Sequence, residues 1–401
     1  MPSKSIIASA PSFSNFDKRA RSGKNMTVSF FGGSLTWGAR SSDPQKTSYR
    51  AIISRKMEET YPKAHFKFID AAIGGTGSQL GVFRLQRDVL AYKPDLVFLD
   101  FTLNDDAYET TPDTLAAYES LVRRIISEGN CPVVQMFLAA KSFVTDGTTE
   151  KMKRYHANME IAKAYNTSIG DAITLMQKKW KAGKLDLDQV WPPESFDTCH
   201  PYDPGYALYA EAAWDGYKKA VEDKLVCSVP KKMLNGNSYM NWKRVRLSSL
   251  DKLPQGWKTT FASRDYCAFD FLMSRWFEDV AAARNFIPID RDNTKASASA
   301  LPLKLKFTGS SVLLFGESTP LSGKYRVTID GKKNDFNACQ LGQGIGRMWQ
   351  VVAEGLDPVK EHKMELKLLF ESPDKPQELR IESICIAGPA GVNISLDGAR
   401  L

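Results

Sequence analysis

Histidine and closely paired cysteines are scarce in this sequence. Only four of the 401 residues are histidine, and no two of the six cysteines stand in a Cys-x-x-Cys pair. Structural zinc sites need such closely spaced ligands, so we predict no metal and no other cofactor. Disulfides are possible, but the positions do not indicate any. The six residues are Cys131, Cys199, Cys227, Cys267, Cys339 and Cys385.

Long apolar runs are also missing. No run approaches the roughly 20 residues that span a bilayer, and we predict no membrane partner. The segment Met1–Asn25 is polar and lacks the apolar stretch of a secretory signal. Two interpretations stay open: an intracellular protein, or an exported one whose signal has been removed. The sequence does not indicate the oligomeric state.

No excess of one charge dominates the first half of the chain. The formal net charge is +8, of which residues 1–228 contribute +2 and residues 229–401 contribute +6. A basic half could attract a uronic-acid polymer or nucleic acid. Its cations are scattered among acids and not clustered with aromatics, which favours an ordinary solvated surface. We therefore predict no nucleic-acid partner.

The length of the chain and a change in its hydrophobic pattern near residue 226 indicate two domains. We predict an N-terminal extension (1–25), a catalytic domain (26–228) and an accessory domain (229–401). Residues 26–226 alternate short apolar runs with helix-like stretches, which is typical of a doubly wound α/β architecture. The predicted strands are Met26–Phe31, Phe66–Ile73, Leu96–Leu103, Val133–Ala139 and Ser168–Asp171. The predicted helices are Tyr49–Thr60, Gln79–Ala91, Thr114–Glu128, Glu150–Tyr165 and Pro204–Leu225.

After Val226 the pattern changes to short alternating runs separated by Gly, Pro and Asn. This pattern predicts an all-β domain, a sandwich or jelly roll. The predicted strands are Arg244–Leu247, Leu303–Phe307, Ser311–Phe315, Tyr325–Asp330, Trp349–Val352, Met364–Phe370 and Leu379–Ile386.

Four short segments could each supply one part of an acyl-transfer site. Ser34, in Gly32-Gly33-Ser34-Leu35, follows the first predicted strand. The second segment is Gly74-Gly75-Thr76-Gly77-Ser78, and the third is Leu103-Asn104-Asp105. Sites in parallel sheets collect at the carboxyl ends of strands, which is where these three segments lie.

The fourth segment, Asp197-Thr198-Cys199-His200, could supply a base and its orienting carboxylate. Alone it also fits a surface loop, because prolines crowd it. The other histidines have no acid in a matching motif. Asp105 and Asp106 could be alternative carboxylates, but next to Asn104 they are expected to cap or solvate a loop.

Together and in this order, the four segments resemble those of the SGNH (GDSL-like) hydrolase family. The resemblance covers Met26 to about Leu225, and it implies a flavodoxin-like α/β fold. It also implies that Ser34 is the nucleophile, His200 the general base and Asp197 its orienting partner. The oxyanion hole would be formed by the Ser34 and Gly75 N–H groups and the Asn104 side chain.

One position departs from the family pattern. The usual Gly-Asp-Ser-Leu reads Gly33-Ser34-Leu35 here, with Gly33 where the aspartate stands. That aspartate is not a member of the triad, so the departure does not imply a loss of chemistry. It predicts a different loop geometry around Ser34.

Four aromatic residues flank the catalytic segments: Trp37, Trp191, Phe196 and Tyr202. They could form a wall for stacking sugars or pack in the core. We predict a metal-independent serine esterase that removes a short acyl group from an oligo- or polysaccharide, and acetyl is the acyl group that we favour. An acyltransferase, a lipid or small-molecule esterase, and a non-catalytic carbohydrate-binding protein are the alternatives.

Overall fold

The computed structural model describes residues 10–262, 279–288, 294–296, 300–339, 346–371 and 375–396. Cys267 lies outside these residues, and the other five cysteines are free thiols. Contacts within the chain divide it into two compact units, residues 1–236 and residues 237–401.

A parallel sheet forms the centre of the first unit. Its strands are β1 (Asn25–Gly32), β2 (His65–Asp70), β3 (Leu96–Asp100), β4 (Val133–Phe137) and β5 (Ser168–Asp171). They lie in the order β2-β1-β3-β4-β5, and every neighbouring pair is parallel. All residues of β3 and β4 are buried, as expected for a sheet covered on both faces. The predicted α/β fold is confirmed.

Helices follow the strands and pack in two groups. They are α1 (Phe13–Arg21), α2 (Ser34–Trp37), α3 (Tyr49–Thr60), α4 (Ser78–Asp88), α5 (Pro112–Ser127), α6 (Lys141–Thr145), α7 (Lys153–Ala164), α8 (Ala172–Lys181), α9 (Leu187–Val190) and α10 (Asp203–Glu222). Short 3-10 turns lie at Leu90–Tyr92, Pro193–Ser195 and Leu247–Ser249. The helix α10 packs against α1, α3 and α8, whereas α5 packs against α4 and α7. Within the described ranges, no helix combines the length and the apolar character that a bilayer crossing requires.

This strand order determines where a ligand site can form. The chain leaves β1 towards β2 on one side and returns to β3 on the other side of β1, so the connections diverge between β1 and β3. In doubly wound sheets the crevice at this point, outside the carboxyl ends of the strands, is where ligands bind. Ser34 follows β1, and Asn104 follows β3.

Three predicted strands of the parallel sheet end earlier than expected: β4 ends at Phe137, and the other two lead into loops of the candidate site. The strand β2 ends at Asp70 and β3 ends at Asp100, yet the following residues Ala71–Ile73 and Phe101 are buried. These residues are apolar because they are buried, although they do not pair in the sheet. A prediction based on hydrophobicity alone therefore placed the strand ends too late. The loops they belong to carry Gly75 and Asn104.

Helix α1 lies in the segment that the sequence analysis treated as an extension. Its apolar residues Phe13, Phe16 and Ala20 are spaced for one helical face, and all three are buried. Phe16 meets the ring of Tyr217 edge-on. The other residues of the helix are mostly polar, so the average composition of the segment did not indicate a buried helix.

The second unit consists of antiparallel strands, as predicted. They are β6 (Asn241–Arg246), β7 (Trp257–Thr260), β8 (Val280–Arg284), β9 (Phe286–Pro288), β10 (Thr294–Ala296), β11 (Leu303–Thr308), β12 (Ser311–Ser318), β13 (Lys324–Ile329), β14 (Lys332–Asn337), β15 (Gly346–Ala353), β16 (His362–Leu369), β17 (Glu378–Gly388) and β18 (Asn393–Leu396). One sheet has the order β14-β13-β16-β11-β18. Another has the order β15-β12-β17-β8-β7, with β6 also paired to β17.

These two sheets share one hydrophobic core. Buried residues of β11, β13 and β16 lie in the same cluster as residues of β12 and β17. In β11 and β16 buried and exposed residues alternate, because one face of the sheet meets this core and the other meets solvent. The unit is therefore a β-sandwich, while its jelly-roll connectivity stays a prediction. The sequence analysis missed β7–β10, β14 and β18, which are short or polar.

The buried carboxylate of Glu119 in α5 generates a stability prediction. It accepts hydrogen bonds from the Tyr165 hydroxyl at 2.8 Å, from the Leu234 and Asn235 N–H groups at 2.8 and 2.7 Å, and from Asn235 Nδ2 at 3.0 Å. Glu119→Ala leaves these donors without their acceptor, so we expect a loss of about 3 kcal/mol in the free energy of unfolding. Urea denaturation measures it, with the exposed Glu58→Ala in α3 as the control. Equal midpoints for the two variants would contradict this account.

Candidate active site

The carboxyl ends of β1, β2 and β3 bring three of the predicted segments to one edge of the sheet. Gly33 precedes the short helix α2, and Ser34 is its first residue. Gly75 lies in the loop after β2, and Asn104 lies in the loop after β3. Gly75 has a φ of 65°, a left-handed conformation that favours glycine.

Ser34, His200 and Asp197 form a continuous chain of hydrogen bonds. Ser34 Oγ lies 2.8 Å from His200 Nε2, and His200 Nδ1 lies 2.9 Å from Asp197 Oδ2. Ser34 is separated from His200 by 166 residues, so the fold alone brings them together. A serine whose hydroxyl contacts an imidazole that is oriented by a carboxylate has the arrangement of an activated nucleophile.

The loop around Asp197 orients the imidazole. Asp197 Oδ1 accepts the N–H groups of Cys199 and His200, each at 3.0 Å, a local turn that aspartate favours. The Lys141 N–H donates to the Thr198 carbonyl at 2.8 Å, which ties the loop to the segment after β4. The spacing of three residues between Asp197 and His200 lets one carboxylate bind both the backbone and the ring.

Electrostatics keep Asp197 ionised. Its partial burial would raise the pKa of the carboxyl, but the hydrogen bonds from the His200 N–H, the His200 ring and the Cys199 N–H outweigh burial and lower the pKa to about 2. The half-exposed guanidinium of Arg40 lies 3.3 Å from Asp197 Oδ2. A carboxylate that is charged throughout the neutral range can stabilise a protonated His200. Sequence reasoning missed Arg40, because no local motif links it to residue 197.

Gly33 is explained by its contact with Asn104. A Cβ atom built on Gly33 would overlap Asn104 Oδ1. Any larger residue at position 33 would therefore displace the Asn104 side chain from beside Ser34. With Asn104 in its present position, a residue without a Cβ fits at position 33.

Asp105 connects the loop after β2 with the loop after β3. Its Oδ1 accepts the N–H of Ser78, the first residue of α4, at 2.8 Å, and this supplies a cap that Gly77 lacks. Asp105 Oδ2 lies 3.9 Å from Arg154 Nη1, and both side chains are nearly inaccessible to solvent. Burial raises the pKa of Asp105, and the charge of Arg154 opposes the rise. The expectation that Asp105 caps a loop agrees with this geometry, whereas Arg154 gave no signal in the sequence.

A second buried carboxyl lies beneath α2. Asp100 Oδ2 accepts the Thr36 hydroxyl at 3.3 Å, and the same hydroxyl lies 3.1 Å from the hydroxyl of Tyr49. Burial raises the pKa of Asp100 to about 7, against the hydrogen bonds from Thr102 and Thr36. These contacts anchor the helix that begins with Ser34.

The flanking aromatic residues differ in accessibility. Phe196 is 94% exposed and has a φ of 51°, next to Asp197. Trp37 and Tyr202 are partly exposed. Trp191 is only 1% exposed, so its assignment to a sugar-stacking wall is corrected: the ring packs in the interior, where no sugar can reach its face.

Neither Cys199 nor the other histidines compete with Ser34 and His200 in this geometry. Burial, and then the charge of Asp197, raises the pKa of the Cys199 thiol, which disfavours the thiolate needed for attack. His156 contacts the Thr149 carbonyl, and His362 lies in the second unit. Among the described residues, no three His, Cys, Asp or Glu side chains are grouped so that they could hold a metal ion.

Comparison with known protein families gives a match within the first unit. Residues 30–208 match the model of the GDSL-like Lipase/Acylhydrolase family. No curated protein matches the sequence.

The fold of both units together is similar to that of a crystallised two-domain esterase, CEX, which is active on acetylated mannans. That structure superposes with a TM-score of 0.75 and 23% identity, over 94% of this chain and 95% of the other. A second CEX structure, with mannopentaose, gives a TM-score of 0.74 and 22% identity over 94% of each chain. At this level of identity the likeness establishes the fold.

The contact between Gly33 and Asn104 generates a test of the site. We expect Gly33→Ala to lower kcat for an activated acetate ester by about 10²–10³-fold, because it displaces a group beside Ser34, as loss of one oxyanion donor does elsewhere. Asn104→Ala should have a similar effect. The double variant should lose no more than the worse single variant, since both changes remove the same interaction.

Steady-state kinetics of the four proteins measure this coupling. Gly391→Ala serves as the matched control, because a Cβ at Gly391 meets no atom and, like Gly33, Gly391 does not have a left-handed φ. Strictly additive losses, or an effect confined to KM, would show that Gly33 and Asn104 do not act together.

Proposed function

We propose that this chain, in which residues 30–208 match the model of the GDSL-like Lipase/Acylhydrolase family, is a serine esterase that removes acetyl groups from carbohydrates. The observation that carries the proposal is the hydrogen-bonded chain Ser34–His200–Asp197 at the crevice between β1 and β3. Ester hydrolysis needs a nucleophile, a base and an oxyanion site, and candidates for all three lie at this edge of the sheet.

In the first step Ser34 Oγ attacks the ester carbonyl carbon while His200 Nε2 accepts the hydroxyl proton. Asp197 keeps the other ring proton on Nδ1 and stabilises the imidazolium that forms. When the tetrahedral intermediate collapses, the bond to the sugar oxygen breaks and His200 returns the proton to that oxygen. The products of this half-reaction are the free sugar hydroxyl and an acyl-serine.

In the second step a water molecule attacks the acyl-serine. His200 accepts a proton from the water, and it returns the proton to Ser34 Oγ as the acetate leaves. The bond between Ser34 and the acyl group breaks, so the enzyme is regenerated without any other reactant.

We assign the oxyanion site to the Ser34 and Gly75 N–H groups and to the Asn104 amide. Ser34 begins α2, where N–H groups are free of partners within the helix. The left-handed backbone of Gly75 turns the loop sharply at the same edge of the sheet. Asn104 Oδ1 lies against Gly33, and Nδ2, the donor of the amide, would supply the hydrogen bond to a substrate oxygen.

A carbohydrate substrate is supported by two further features. The exposed ring of Phe196 beside Asp197 offers an apolar face for stacking a sugar. The chain also shares its two-unit fold with an esterase active on acetylated mannans. An acetylated oligo- or polysaccharide is therefore the proposed substrate class.

Replacing the proposed nucleophile tests the mechanism. We expect Ser34→Ala to lower turnover of an acetate ester by several orders of magnitude without loss of folding. The matched control is Cys199→Ala, which removes the thiol closest in sequence to the base but keeps the N–H that binds Asp197. Its kcat should stay within about threefold of wild type. Near-normal activity in Ser34→Ala, or a comparable loss in Cys199→Ala, would overturn the assignment.

Acyl-chain preference tests the substrate class. The value of kcat/KM should fall steeply from acetate to butyrate to octanoate esters, if the cleft is shaped for a small acyl group. Acetylated oligosaccharides should be better substrates than simple acetates, because contacts to remote sugars can orient the ester at Ser34. Acetate release from acetylated glycans and hydrolysis of a nitrophenyl ester series measure the two effects. Equal rates on octanoate, with no release from any glycan, would leave the serine chemistry and exclude the carbohydrate substrate.

A further inference from the structure

The solvent-facing side of the sheet β14-β13-β16-β11-β18 is strongly basic. Because buried and exposed residues alternate along these strands, the outward positions can be read from the strand register. Six lysines occupy outward positions, together with Arg326, against the two carboxylates Glu365 and Asp335. The lysines are Lys304, Lys306, Lys324, Lys333, Lys363 and Lys367, and all six are exposed.

Cations lie directly opposite one another at two places in this sheet. Lys306 pairs with Lys363 across β11 and β16, and Arg326 pairs with Lys367 across β13 and β16. Like charges in directly opposite positions destabilise a sheet. Arg326 is compensated by Asp335, which it binds at 2.6 and 2.8 Å. Lys306 is compensated in part by Glu361, whose carboxylate lies 3.7 Å from the lysine Nζ. In the part of the chain that the structure describes, Lys363 and Lys367 form no ion pair.

The pair Lys306 and Lys363 lines a concave site. A depression of about 210 Å³ lies over β11, β13 and β16, with Lys304, Lys306 and Lys363 around it and Thr328 contributing a hydroxyl. The carboxylate of Glu365 also lines it, 3.7 Å from Lys304 Nζ. Three ammonium groups against the single carboxylate of Glu365 leave the depression with a net positive charge, and with the Thr328 hydroxyl this suits a small anionic group that carries additional oxygen atoms.

We propose that this basic face binds a carboxylated polysaccharide, a chain of uronate type, through the depression at Lys306 and Lys363. Its lysines are compact, well-hydrated charges, which suit carboxylates spaced along a flexible polymer. The forked donors of arginine match carboxylate and phosphate alike, and the single arginine among the outward positions named above is already bound to Asp335. The face therefore offers lysine point charges, which bind either group. Proteins that bind single-stranded nucleic acid also provide aromatic rings for stacking, and no aromatic residue occupies the outward positions named above.

The choice of a polysaccharide among polyanions rests on the proposed esterase function. If the first unit removes acetyl groups from a glycan, a second unit that holds an acidic segment of the same polymer raises the local concentration of acetyl esters around Ser34. Two linked sites increase the apparent affinity without any new contact. The substrate would then be an acetylated glycan that also carries carboxylates.

The experiment measures binding of the full chain to polygalacturonate and to a neutral mannan at 50 and 200 mM salt. The wild-type protein should bind polygalacturonate, more weakly at the higher salt because charges are screened over shorter distances, and should prefer it to the neutral polymer. Lys306→Glu/Lys363→Glu should weaken this binding by about tenfold or more. The control Lys178→Glu/Lys184→Glu makes the same charge change at exposed positions in the first unit and should bind like the wild type.

Hydrolysis of a small acetate ester by each variant separates this proposal from the proposed function. The Lys306→Glu/Lys363→Glu protein should retain wild-type turnover of that ester, and Ser34→Ala should retain polymer binding. Three outcomes would each overturn the proposal. The two charge-reversal variants could lose binding equally, or neutral mannan could bind as tightly as polygalacturonate. Duplex DNA could also bind more tightly than polygalacturonate when both are supplied at the same concentration of negative charges.

Discussion

The ionised carboxylate of Asp197 is the group on which the geometry of the site depends. It binds two backbone N–H groups with one oxygen and the His200 ring with the other, so the loop and the imidazole are oriented together. With Nδ1 held in this way, Nε2 is directed at Ser34 Oγ. The hydrogen bonds that orient His200 also lower the pKa of Asp197 to about 2, so position and charge have the same cause.

Buried carboxylates also hold the elements around the site. Asp105 joins the loop that carries Asn104 to the start of α4, and Asp100 fixes α2 through Thr36. Burying a carboxylate is costly unless hydrogen bonds or an opposite charge compensate. Such groups therefore tolerate few alternative arrangements, which suits a site that must hold donors in place before the substrate arrives.

Much of the fold could be predicted from the sequence, because strands buried on both faces are continuous apolar runs. The predicted bounds of helix α3 also agree with those in the structure. Short motifs singled out Ser34, His200 and Asp197, and the fold brings these three residues into contact. Arg154 and Arg40 were not predicted, because each contacts a residue far away in the sequence (Asp105 and Asp197, respectively). No local motif indicates such a contact. Trp191 was misplaced because a sequence does not tell which neighbours of a site face solvent. Helix α1 was missed because its three buried residues are a minority in a polar segment.

The most direct test of the central claim is covalent labelling of the native protein with a serine-directed fluorophosphonate, followed by peptide mapping. The account predicts a single modification at Ser34, with labelling strongly slowed in His200→Ala because the hydroxyl then has no base. Labelling at another serine, or labelling of Ser34 at an unchanged rate in His200→Ala, would contradict it.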